Sequence, residues 1–121
     1  VLFGSYARGE QKKTSDLDLL VVVKDLPENF WKRDEISKKL SSRFFEKYGV
    51  YLEVLLAKDS EIKKHAEWPN PIFFGILLGY RILYGEEFFE EVIYIAKERI
   101  KEIKPVYVDK WGRKWEMKKL I

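Results

Sequence analysis

The sequence predicts an α+β domain. Two runs, residues 16–23 and 50–56, alternate with the period of two that strands show. Two longer runs, residues 30–48 and 89–103, repeat apolar residues at the three- and four-residue spacing of helices. Near the C-terminus, residues 106–108 and 115–117 flank Gly112 like the arms of a hairpin.

The elements can be placed in order. Residues 1–3 are apolar and stop at Gly4-Ser5, the end of a buried strand; Ser5 then caps a short helix over 6–11, and 12–15 is a polar loop. In the strand over 16–23, Leu17, Leu19, Val21 and Val23 share one face, and Asp16, Asp18, Leu20 and Val22 share the other. Its far end is apolar on both faces, as in a central strand covered on both sides. Pro27 suits the first turn of a helix whose stripe is Phe30, Ile36, Leu40, Phe44 and Tyr48, ending at Gly49. In the next strand Tyr51, Glu53 and Leu55 face one way, and Leu52, Val54 and Leu56 the other. Ser60 caps a helix to about residue 67, and 68–71 is a loop. Residues 72–84 read as a helical turn and then a short strand at 82–84. After Gly85 comes a long helix with Phe89, Val92, Ile93, Ala96, Ile100 and Ile103 on one stripe, ended by Pro105.

With 121 residues the chain fits one domain, 1–121, large enough for a single core. It is 46% hydrophobic and 16% aromatic, which excludes a disordered chain. The formal net charge of +3 leans only mildly toward phosphate ligands. The absence of Cys excludes disulfides and thiolate metal sites. No secretory signal is evident, and the longest apolar stretch, 71–84, is cut by Gly75, Gly79 and Arg81, so a cytoplasmic protein is expected, with no membrane partner. Val1 already lies within a strand, and an N-terminal segment, a helix, is expected to precede it.

Three features carry possible chemistry. Gly4-Ser5 at a strand-to-helix turn allows close backbone approach by a phosphate, with free N–H groups and a hydroxyl beside it; a plain turn and helix cap reads the same way. Asp16 and Asp18 place two carboxylates on one strand face, where they repel unless a cation sits between them; a polar strand entrance is the alternative. Glu53 stands between apolar neighbours, and a buried carboxylate is costly unless it meets a metal or pairs with a Lys or Arg. His65, the only His, lies in a charged stretch and reads as a surface residue.

Gly4-Ser5 followed by Asp16-Leu17-Asp18 on a strand resembles the signature of the DNA polymerase beta-like nucleotidyltransferase superfamily. The stretch Gly4-Ser5-Tyr6-Ala7-Arg8-Gly9-Glu10, with Ser15 before Asp16, is similar in particular to the minimal nucleotidyltransferases of prokaryotes, which include antitoxin partners of HEPN-type toxins. The resemblance implies a small mixed sheet with helices packed mainly on one face, to which the C-terminal hairpin is added. It implies that Gly4 and Ser5 hold a nucleoside triphosphate, with Arg8 reaching a phosphate or else pairing with Glu10 or another surface acid, and that Asp16, Asp18 and Glu53 hold two Mg²⁺ ions; the family more usually has Asp in the place of Glu53. The activity it implies is transfer of a nucleotide, AMP from ATP, to a hydroxyl, with a HEPN-type toxin as a protein acceptor. Transfer to RNA or a small molecule, and a non-catalytic antitoxin that acts by contact alone, are the competing functions. Residues 111–119, aromatic and basic, are a candidate docking surface, and Trp111 and Trp115 beside Arg113 and Lys114 also suit a nucleic acid, though a hairpin packing its tryptophans inward is the simpler reading.

Overall fold

The computed structural model describes residues 1–120. Its elements are β1 (Leu2–Phe3), α1 (Gly4–Arg8), β2 (Leu17–Val22), α2 (Phe30–Tyr48), β3 (Leu52–Ala57), α3 (Asp59–Glu67), α4 (Pro71–Leu77), β4 (Tyr80–Arg81), α5 (Glu86–Ile103), β5 (Val106–Val108) and β6 (Lys114–Glu116), then a 3₁₀ turn over Met117–Leu120. The first four strands form a mixed sheet in the order β3-β2-β1-β4. β2 and β3 are parallel and joined through α2, while β1 is antiparallel to both β2 and β4. β5 and β6 form a separate antiparallel hairpin. The α+β class, the mixed sheet and the hairpin match the expectation.

Strand alternation builds the core. Leu20 and Val22 of β2 and Leu55 and Ala57 of β3 lie on one face and pack against Ile62 and Ala66 of α3, Phe73 and Ile76 of α4, and Phe89, Val92, Ile93 and Ala96 of α5. Full burial of each large side chain contributes about 1.5–3 kcal/mol. The long helix thus buries the stripe read from its spacing, except that Ile103 stays exposed. A second cluster, Phe74, Ile100 and Met117 with Tyr107 and Trp115, seats the hairpin on α4 and α5.

Several local readings change. Phe3, not Ser5, occupies the N-cap of α1, and that helix ends at Arg8 in a left-handed Gly9. Pro27 lies ahead of α2, whose N-cap is Asn29, its side chain accepting from the Trp31 N–H at 2.8 Å. Ser60 lies inside α3; the start of that helix is held by Glu61 Oε1, which accepts from the Lys58 N–H at 2.8 Å. β4 falls at Tyr80–Arg81 rather than 82–84, because Asn70 caps α4 and that helix runs to Leu77. Leu19 and Val21 are half-buried, so the face of β2 opposite the core is only partly covered.

The largest departure is α2. Its apolar residues Phe30, Ile36, Leu40 and Tyr48 are exposed. The helix instead lies along the outer edge of β3, where the Ser41 hydroxyl donates to the Leu52 carbonyl at 2.6 Å and the Ser37 hydroxyl to the Val54 carbonyl at 3.3 Å. The reason is the ladder: the Tyr51 and Ala57 carbonyls turn inward to β2, so those of Leu52 and Val54 turn outward and need donors. Arg33, only 6% exposed, completes this face, its Nε donating to the Pro27 carbonyl at 2.6 Å and its Nη1 to both Glu61 oxygens at 2.9 and 3.0 Å.

Candidate active site

Asp18 is the centre of the site. Its register partners are Phe3 of β1 and Glu53 of β3. Parity puts Asp18 and Glu53 on the core face, one alternation before the buried Leu20 and its partner Leu55. Here the covering helices have ended, so Asp18 is half-buried and Glu53 is exposed. The expected burial of Glu53 is therefore overturned: position along the strand, not its apolar neighbours, decides its solvation. Its placement beside Asp18 matches the expectation.

Gly4 follows directly on Phe3, with φ of +75°. A side chain there would be strained, and its Cβ would collide with Oδ2 of Asp18. The Gly-Ser turn and the carboxylate are thus built against each other, which the spacing alone did not reveal. Asp16 is exposed and precedes β2, which starts at Leu17.

The electrostatics are those of crowded like charges. Burial pushes the Asp18 carboxyl up to about 6, and hydrogen bonding to Glu53 and the charges of Glu53 and Asp16 add to the rise. The Lys110 ammonium opposes it, from the turn between β5 and β6. Lys110 is the residue that reading the sequence missed. No local pattern links positions so far apart; only the turn residues Asp109 and Gly112 mark its setting.

Ser5 lies in the first turn of α1, beside Gly4. The Arg8 Nε donates to Glu10 Oε2 at 3.3 Å, and the Arg8 stem lies against Gly79. His65 is an exposed residue whose Nδ1 is 2.8 Å from Asn70 Nδ2. Trp115 is packed, with its Nε1 donating to Asp109 at 3.0 Å, whereas Trp111 is exposed.

No group of three His, Cys, Asp or Glu side chains among the described residues is disposed to hold a metal ion. The Asp18–Glu53 pair nevertheless fits a hard divalent cation. Burial and the neighbouring carboxylates favour the protonated form of Asp18, and a cation with oxygen preference can take the place of that proton. No helix among the described residues is long and apolar enough to cross a membrane.

A sheet end that sets paired carboxylates beside a Gly-Ser turn has the chemistry to take a hard cation and a phosphate ester. The chain belongs to the nucleotidyltransferase domain family, whose model matches residues 1–120, and it is a nucleotidyltransferase. It is 34% identical over 122 residues to a protein of Methanocaldococcus jannaschii provisionally named a protein adenylyltransferase, covering 100% of this chain and 81% of that protein. A second protein of that organism with the same provisional name is 40% identical over 58 residues, 48% of this chain and 57% of the relative. The fold is similar to that in the crystal structure of a toxin-antitoxin with AMP-PNP, with a TM-score of 0.51 and 24% identity over 84% of this chain and 75% of that one.

Proposed function

We propose that this nucleotidyltransferase moves AMP from ATP to a hydroxyl of a protein acceptor. The observation that carries the reading is the Asp18–Glu53 pair set against Gly4, paired carboxylates packed directly on the Gly-Ser turn. Both relatives are provisionally named protein adenylyltransferases, which favours ATP as donor and a protein as acceptor.

In this reading Gly4 and Ser5 hold the triphosphate through backbone N–H groups and the Ser5 hydroxyl, and Arg8 exchanges Glu10 for a phosphate oxygen. Asp18 and Glu53 would hold Mg²⁺ as a register pair, and Asp16, exposed ahead of β2 and not grouped with them as a third ligand, would have to swing in to complete a site for two ions. When bound, the metal neutralises charge on the phosphates and makes a hydroxyl a better nucleophile at neutral pH. The acceptor oxygen attacks the α-phosphorus, the bond between the α- and β-phosphates breaks, pyrophosphate leaves, and the hydroxyl proton passes to solvent. The proton that Asp18 otherwise keeps up to about pH 6 must be gone for its oxygens to act as ligands.

The fold likeness is to a toxin-antitoxin, and the resemblance to minimal nucleotidyltransferases implies a folded toxin of the HEPN type as the acceptor, silenced by modification. Such a partner would bring its own docking surface, and the exposed Trp111 and the basic Lys118 and Lys119 suit it. The test is to mix the purified protein with ATP, Mg²⁺ and a candidate toxin and to weigh the toxin by mass spectrometry. A gain of AMP units that disappears with Asp16→Asn supports the reading. A toxin inhibited without modification replaces it with a contact-only antitoxin, and labelling of only RNA or a small molecule replaces the acceptor class.

A further inference from the structure

We propose that Gly79, just after α4, is a positioning residue for nucleotide binding: its missing side chain leaves the room in which the Arg8 stem lies beside the Gly-Ser turn. This rests on the nucleotidyl-transfer reading above, in which Arg8 meets a phosphate, and adds to it a residue from a distant part of the chain.

Gly79 is a glycine that its backbone does not explain. Five of the seven glycines, Gly4, Gly9, Gly49, Gly85 and Gly112, have positive φ, where a side chain is strained. Gly79 is not among them, so its backbone admits alanine. Gly75 is not among them either, but a Cβ there would meet only the Tyr107 hydroxyl, at an ordinary 3.9 Å. A Cβ on Gly79 would stand 2.6 Å from Cγ of Arg8 and 3.4 Å from its Cδ. The first distance is about 1 Å inside the optimal separation of two carbons. What Gly79 provides is room, and the Arg8 stem fills it.

Anchoring decides which side would yield to a larger residue. The Gly79 N–H donates to the Ile76 carbonyl at 3.1 Å. Before it, Phe73, Phe74 and Ile76 of α4 are buried; after it, Tyr80 pairs with Phe3. Gly79 is therefore held from both sides. The Arg8 side chain is 27% exposed, and its hydrogen bond to Glu10, at 3.3 Å, is to an exposed residue that can move with it. A side chain at position 79 would turn Arg8 away rather than shift the sheet.

The place gives this contact its meaning. Register sets Glu53, Asp18, Phe3 and Tyr80 in one row across the sheet. Gly4 follows Phe3 and makes room for Asp18; Gly79 precedes Tyr80 and makes room for Arg8. The carboxylates and the guanidinium thus flank the Gly-Ser turn from opposite sides, each kept there by a glycine. A triphosphate on that turn would meet its metal on one side and Arg8 on the other.

The test measures binding of AMP-PNP and of AMP, each with Mg²⁺, by calorimetry on Gly79→Ala, Arg8→Ala and the double variant. Gly79→Ala should bind AMP-PNP about five- to tenfold more weakly, the scale of one charge-assisted hydrogen bond, while AMP binding changes by less than about twofold. Arg8→Ala should show the same pattern. In the double variant no Arg8 stem remains to collide with, so its affinity for AMP-PNP should equal that of Arg8→Ala. A merely structural glycine would weaken both nucleotides together and add its loss to that of Arg8→Ala; that result overturns the assignment. Wild-type affinity in Gly79→Ala, with Arg8→Ala impaired, overturns it as well. If Gly79→Ala unfolds early, the double variant decides: a return to the unfolding temperature of Arg8→Ala supports the collision, and no return overturns it. Normal AMP-PNP binding by Arg8→Ala, or none by the unaltered protein, overturns the underlying reading and this assignment with it.

Discussion

Two carboxylates on neighbouring parts of the molecule have opposite surroundings. Glu61 meets Arg33 through both oxygens and accepts the Lys58 N–H, so its carboxyl is held below the usual glutamate range, first by the Arg33 hydrogen bond and then by that N–H. Glu28 pairs with Lys58 close by. Asp18 meets Glu53 and Asp16 instead, and burial and these neighbours push it up to about 6. The first arrangement is complete in itself and holds α2 to α3. The second is satisfied only when something positive arrives. A cluster of acids left without a cation in contact, in a chain that compensates a buried Arg well, is what the proposed metal binding would use.

The largest expected effect comes from breaking the unsatisfied side. Asp18→Asn should lower transfer by about a thousandfold or more, the scale of losing several kcal/mol of metal-assisted stabilisation. Its thermal stability at neutral pH should equal or exceed that of the unaltered protein. Full activity would end the assignment of the acids.

The satisfied side should respond in the opposite sense. Arg33→Met should destabilise the fold by about 2–3 kcal/mol in urea unfolding, below the range for a fully buried pair because Glu61 keeps some solvent. Transfer by the folded fraction should be unchanged. Loss of activity without loss of stability would mean that the two regions are not separable.

Glu53→Gln tests which neighbour perturbs Asp18. Removing that charge should bring the Asp18 carboxyl down toward the ordinary range in an NMR titration. Transfer should fall by about tenfold to a hundredfold, less than for Asp18→Asn.

The smallest effect is a pH limb. In the metal-free protein, folded Asp18 keeps its proton up to about pH 6, whereas the unfolded chain releases it near 3.8. The folded state holds more protons between these values, so stability falls as pH rises across that window. Because Asp18 is half-exposed, the change should be about 1 kcal/mol after allowance for screening. Glu61 works the other way: its stabilisation is present above the ordinary glutamate range and is lost as pH falls through its lowered value. Urea midpoints across pH should show the first limb vanish in Asp18→Asn while the second remains.

Much of this arrangement was legible in the sequence because it is local or periodic. Alternation placed Asp18 on the face of Leu20, and the α5 spacing fixed Phe89, Val92, Ile93 and Ala96 in the core. Gly4-Ser5 and Asp16-Leu17-Asp18 marked the candidate site through their order and the family resemblance it carries. What failed depended on neighbours distant in sequence. The apolar residues of α2 suggested a buried stripe, but the outward carbonyls of β3 selected Ser37 and Ser41 instead. The apolar neighbours of Glu53 suggested burial, but the covering helices end short of it. Caps at Ser5 and Ser60 followed residue type, whereas Phe3 and Lys58 took those positions through the paths of the strands before them. The turn around Lys110 was legible, but that its charge bears on Asp18 was not, because that depends on how the hairpin docks.

The helix along β3 has a further consequence for how any protein could approach. With Ser37 and Ser41 already bonded to the Leu52 and Val54 carbonyls, that margin of the sheet has no free backbone acceptors at those positions to template an added strand. An extended peptide therefore cannot zip onto the sheet there. For the proposed protein acceptor, strand addition at those positions would then play no part, and recognition beside Glu53 would fall to side chains.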